Sequence, residues 1–150
     1  MGPVETRAGP QALVLDDDDD TRWMIEHILR TVGWVTTGAA TLNEARTALA
    51  QETFQLCVVD VYLPDGDGRA LLPDIVSASG AVLIISGVVD AGGDVLGMAS
   101  AAFLAKPFGP RELLAAASRL QPPRYALRTA SLEARALASS ASTIRPLSIT

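Results

Sequence analysis

Apolar residues along this chain come in short bursts, with stretches of helical spacing between them. The bursts are Ala12-Leu-Val-Leu15, Trp34-Val-Thr-Thr37, Leu56-Cys-Val-Val59, Ala81-Val-Leu-Ile-Ile85 and Ala102-Phe-Leu-Ala105. Asp, Gly, Ser or Lys stops each one. Runs of this length, rich in aliphatic and β-branched residues, read as short strands, most of them buried on both faces of a sheet. Between them the period changes. Trp23, Ile25, Ile28, Leu29 and Val32 predict a helix, with Asp19 and Asp20 suited to its N-terminus and Gly33 to its end. Thr41-Leu-Asn-Glu44 reads as a capping box, followed by an apolar face of Leu42, Ala45 and Leu49. A third helix over Arg69–Ser77 contains Pro73, so it is either kinked or split into two short turns. Gly87, Gly92, Gly93 and Gly97 allow only a short, weak helix within 87–99. Pro110 opens a last helix that runs to Leu120, and Pro122-Pro123 closes it. Strand and helix alternate five times. This predicts an α/β fold, a doubly wound five-stranded parallel sheet with helices on both faces.

The pattern covers residues 11–121 as one domain. Residues 1–10, with two prolines and two glycines, read as a flexible leader. Residues 122–150 read as a tail, disordered apart from a helical turn or two near Ser131–Ala138. At 150 residues and 49% hydrophobic content, the chain can bury a core unaided. No apolar run is long enough to span a bilayer, and the first residues lack the apolar centre of a signal peptide. The single Cys57 lies inside the third strand, where packing is its expected role. A cytoplasmic protein is expected. The net charge is −5, while four arginines and one glutamate make 121–150 weakly basic. An acidic domain of this kind is a poor candidate for nucleic-acid binding.

The polar residues that stop the strands carry the candidate chemistry. Asp16 and Asp17 follow the first strand, Asp60 the third, Ser86 the fourth and Lys106 the fifth. In a parallel sheet all of these fall on one edge, the carboxyl edge, where ligands collect. Each alone reads equally well as a solvated turn residue; together they imply a site. Clustered carboxylates repel, by about 4 kcal/mol for a pair 4 Å apart at an effective dielectric of 20, and so call for counter-charge. Lys106 supplies one positive charge. All-oxygen ligation suits Mg²⁺ for the rest. Such a site can receive a phosphoryl group, with Asp60 as nucleophile and Ser86 as a hydrogen-bond donor to the product.

These residues resemble the receiver domain of two-component response regulators. The resemblance rests on Asp16-Asp17, on Asp60 followed by Pro64 and Gly68, on Ser86-Gly87 and on Lys106-Pro107-Phe108. It implies a CheY-like, flavodoxin-like strand order of 2-1-3-4-5. It also implies Asp60 as phosphoacceptor and Mg²⁺ held by Asp16, Asp17, Asp60 and the Tyr62 carbonyl. Ser86 and Phe103 match the switch residues, and Lys106 the lysine of the family pattern. By the same resemblance the chain is a signalling domain rather than an enzyme. Its phosphodonor would be a sensor histidine kinase or phosphotransfer protein, and its output an unidentified protein target. A homodimer is left open, as is the choice between a stand-alone receiver and part of a larger protein. No DNA-binding domain is expected within the sequence after residue 120. Two features depart from the family: the segments Gly68–Ser86 and Ser86–Lys106 are short, and Pro73 lies in the third helix.

Two rivals come from other classes. Leu13-Val-Leu15 followed by Asp16-x-Asp18 mimics the opening motif of haloacid-dehalogenase-type phosphohydrolases. That family needs an acidic pair beyond the lysine, and only Glu112 and Glu133 remain there. A receiver-like docking module that takes no phosphate is the second rival. An EF-hand reading of the aspartate run fails, because Thr21 and His27 stand where the loop needs Gly and Glu. His27 itself is expected on the surface of the first helix.

Overall fold

The computed structural model describes residues 9–88 and 100–120. Most of the expected leader, nearly all of the segment 87–99 and the tail lie outside these residues. Five strands form one parallel sheet: β1 (Gln11–Leu15), β2 (Val35–Ala39), β3 (Leu56–Asp60), β6 (Ala81–Ser86) and β7 (Ala101–Ala105). Their spatial order is β2-β1-β3-β6-β7. Counting only these five gives the expected 2-1-3-4-5. The central strands β3 and β6 are buried along their whole length, which is why they read as continuous apolar runs.

Two cores sandwich the sheet. On one face Leu13, Leu15, Cys57, Val59, Val82 and Ile84 pack against α2 (Leu42–Gln51) and α3 (Leu72–Ser77). On the other, Val14, Val58, Leu83 and Ile85 pack against α1 (Asp19–Thr31) and α4 (Pro110–Arg119). The alternation of side chains along each strand divides its residues between the two. Cys57 is fully buried, and burial pushes its thiol up to about 12, in keeping with a packing role. Among the described residues no helix is long and apolar enough to cross a membrane.

Several local expectations are corrected. The second strand begins at Val35 rather than Trp34 and runs on through Gly38 to Ala39. Trp34 instead buries its ring just before the strand. In α1 the buried face is Ile25, Ile28 and Leu29, while Trp23 is 63% and Val32 54% exposed. Trp23 lies about 200° around the helix from Ile25, since each residue advances about 100°. There it stacks on the exposed ring of His27, with centroids 5.0 Å apart. The cap of α1 is Asp18, whose carboxylate accepts from the Thr21 N–H and hydroxyl; Asp19 and Asp20 occupy the first turn. Gly33 adopts φ +103°, a backbone state suited to glycine, and ends the helix. Of the two options for Arg69–Ser77, the chain takes the split: a 3₁₀ turn over Gly68–Leu71, then α3 with Pro73 in its first turn.

A feature absent from the sequence reading follows β3. Tyr62–Leu63 (β4) and Gly66–Asp67 (β5) pair antiparallel as a small hairpin.

Candidate functional site

Parallel register brings the polar strand ends together. β1 lies beside β3, β3 beside β6 and β6 beside β7, with Asp60 opposite Ile85 and Ser86 opposite Ala105. Asp16, Asp60 and Ser86 are the buried polar residues at this edge. Asp17 is exposed at its mouth. One carboxylate oxygen from each of Asp16, Asp17 and Asp60 lies within 4.8 Å of the others, so the three can share one ion.

Lys106 reaches across from the end of β7. Its Nζ donates to Asp16 Oδ2 at 2.9 Å and lies 3.5 Å from Asp60 Oδ1. The backbone N–H of Lys106 donates to the Ser86 carbonyl at 2.9 Å, which holds the β7 end against β6. Asp16 Oδ1 accepts from the Asp18 N–H at 2.9 Å, and Arg22 Nη1 donates to the Asp16 carbonyl at 2.9 Å. The Asp16 carboxylate is therefore oriented by partners on both oxygens, and its charge is compensated in place. Ser86 Oγ accepts from the Val88 N–H at 3.0 Å.

The electrostatics follow from this crowding. Burial pushes the Asp60 carboxyl up to about 6; the Asp16 charge adds to the rise, and Lys106 opposes it. Burial also works against the Lys106 ammonium, but its hydrogen bond and charge pairing with Asp16, backed by Asp60, leave it above its ordinary value. Three acids against one lysine leave surplus negative charge. The hard oxygen donors suit a small divalent cation, and so the residues present fit Mg²⁺.

Tyr62 and Phe103 are the remaining predicted residues. The Tyr62 side chain is 56% exposed on β4, and Val88 is 44% exposed two residues beyond Ser86. Phe103 lies on β7 opposite Ile84, partly buried against the core shared with α2 and α3. Sequence reasoning missed Asp18 as the cap, Arg22 as a brace on Asp16, and Asp65. Asp65 Oδ1 accepts from the Leu42 N–H at 2.8 Å, and Oδ2 from the Asn43 N–H at 3.1 Å. Asp65-Gly66 was legible as a turn signal; its partner helix was not. Glu112, which the phosphohydrolase reading would need near the metal, accepts from the Gly109 N–H at 2.9 Å at the start of α4.

A family model described as the response regulator receiver domain matches residues 12–118. Over 113 residues the chain is 34% identical to the transcriptional regulatory protein GltR of Pseudomonas aeruginosa, covering 71% of this chain and 47% of that protein. It is 36% identical over 120 residues to the response regulator protein PilR of the same organism, covering 75% of this chain and 27% of that protein. The chain spans under half the length of either relative. Among solved structures, a CheY-like receiver domain protein from Methanospirillum hungatei aligns with a TM-score of 0.66 at 27% identity, covering 74% of this chain and 92% of that one.

Proposed function

The chain belongs to the response regulator receiver family, and we propose that within it Asp60 is the residue that accepts the phosphoryl group. Receiver domains act in two-component signalling by phosphorylation on aspartate. The observation that carries the assignment to Asp60 is the convergence of Asp16, Asp17 and Asp60 within 4.8 Å, with Lys106 bridging Asp16 and Asp60. The donor in this reading is the phosphohistidine of a sensor kinase or phosphotransfer protein. An Asp60 oxygen attacks phosphorus, the new O–P bond forms as the P–N bond breaks, and the imidazole leaves with the electron pair and takes a proton from solvent.

Asp16, Asp17 and Asp60, with the Tyr62 carbonyl, would hold Mg²⁺. When bound, Mg²⁺ supplies positive charge against the phosphoryl oxygens. Lys106 is within reach of Asp60 and would turn its ammonium from Asp16 toward those oxygens. Ser86 Oγ accepts from the Val88 N–H, and in this reading its hydroxyl donates to the phosphoryl group. That movement, and repacking of Phe103, would carry the signal to a protein target, with a second copy of the chain as one candidate. The reading places the chain in the cytoplasm and assigns no nucleic-acid contact to residues 9–120.

The test is incubation with a small phosphodonor and Mg²⁺, followed by mass measurement. One phosphoryl group should add to the wild type and none to Asp60→Asn. Equal labelling of both would move the acceptor elsewhere.

A further inference from the structure

The β4–β5 hairpin hangs from the end of β3 and is tied down on two sides. Toward the site, the Gly68 N–H donates to the Val61 carbonyl at 2.8 Å. A Cβ at Gly68 would collide with the Asp60 carbonyl oxygen, so the chain returns hard against the backbone of Asp60. Toward α2, Asp65 accepts from both the Leu42 and Asn43 N–H groups. Gly66, at φ +146°, lies so close that a Cβ would stand 2.7 Å from Leu42 Cδ1. The amide of Leu42 holds the Asp65 carboxyl below the usual carboxylate range, the amide of Asn43 adding to the effect. Yet α2 has caps of its own: Thr41 Oγ1 accepts from the Glu44 N–H, and Glu44 Oε1 from the Ala40 N–H. The Asp65 bonds differ in spanning more than twenty residues of chain. They join hairpin to helix. A two-stranded hairpin of this size has little stability of its own and takes its position from such ties.

We propose that Asp65 is a positioning residue for Mg²⁺ binding: it anchors the β4–β5 hairpin on the N-terminus of α2 and so holds the backbone at Tyr62, whose carbonyl is assigned above to Mg²⁺. Tyr62 is paired with Asp67 across the hairpin, so a swing of the Asp65 turn moves the Tyr62 backbone with it. The inference rests on the Mg²⁺ assignment above. Groups that orient metal ligands from behind change metal affinity by about 10–100-fold when removed. Calorimetric titration of the full chain with Mg²⁺ reads this directly, without phosphorylation. Asp65→Ala should weaken binding by about tenfold, at the low end of that range because a backbone ligand is moved and none is lost. Asp65→Asn removes the same charge but keeps one acceptor for Leu42, and should recover most of the affinity. Thr41→Ala uncaps α2 without touching the hairpin; it should lower the melting temperature and leave the Mg²⁺ Kd unchanged. Three results overturn the proposal: wild-type affinity in Asp65→Ala, Asp65→Asn as weak as Asp65→Ala (a charge effect alone), or an equal loss in Thr41→Ala (helix stability alone). A wild-type chain that binds no Mg²⁺ removes the metal assignment itself, and this inference with it.

Discussion

The two sides of the Asp60 pocket are built on different terms. The strand side is buried and cross-braced: Asp16 is held by Lys106 and the Asp18 amide, the Lys106 backbone by the Ser86 carbonyl, and Asp60 by β3, between β1 and β6. The loop side is open. Tyr62 and Val88 present large, largely apolar side chains to solvent, each two residues beyond a strand-end site residue. On the strand side, loss of Lys106 would leave the buried Asp16 carboxylate without its counter-charge. On the loop side a side chain can change while its backbone stays in place. In the proposed function, the strand side would allow phosphorylation and the loop side would set its lifetime.

Four measurements test that separation, from the largest expected effect down. Phosphoryl uptake should vanish in Asp60→Asn and persist in Tyr62→Asn, because only the former removes the nucleophile. A Tyr62→Asn variant that takes up nothing would erase the distinction. Next is metal stabilisation. At a hundredfold excess over its Kd, Mg²⁺ should raise stability by about 2.7 kcal/mol. Thermal melts should show this gain shrinking in Asp17→Asn and unchanged in Val88→Gln; an equal gain in Asp17→Asn would take Asp17 out of the metal site.

The third measurement is pH dependence without metal. Asp60 ionises near 6 in the folded chain, against an ordinary 3.8. The folded state therefore holds this proton more tightly than the unfolded one, and stability is lost as pH rises from about 4 through 6. At 1.36 kcal/mol per unit the ceiling is about 3 kcal/mol, and solvent at the pocket mouth brings the expected loss to about 1–2 kcal/mol. Asp60→Asn cannot ionise there, so its melting temperature relative to wild type should climb over that interval; a flat difference would contradict the raised value. The smallest effect is on lifetime. Hydrolysis needs a water in line with the O–P bond, and neither Tyr62 nor Val88 offers a carboxylate or carboxamide to orient one. Tyr62→Asn combined with Val88→Glu should speed decay of the phosphoprotein by up to about tenfold, or 1.36 kcal/mol in the barrier. Equal or slower decay would show that these side chains do not shield the site.

Much of this was legible from residue order. The strands were visible because β3 and β6 are buried on both faces and leave no polar position within them until Asp60 and Ser86. Asp16, Asp17, Asp60, Ser86 and Lys106 were visible because a parallel sheet sends every strand end to one edge. Trp23 and Val32 share the apolar spacing that predicts α1, and whether an apolar residue near its buried face is covered depends on what packs beside it. Asp18, Asp19 and Asp20 are chemically equal candidates for the cap, and the turn out of β1 selects Asp18.

Hydrophobic period and strand-end chemistry are local properties, recorded over a few residues, and they determined the α/β class, the five strands of the parallel sheet and the residues proposed for the site. Three things needed the folded chain: the Lys106–Asp16 contact across ninety positions, the anchoring of Asp65 on α2, and the rise of Asp60 toward neutral pH. Each arises from distance and burial between groups far apart in sequence. Coulomb energy and desolvation depend on that separation in space, which no local pattern encodes.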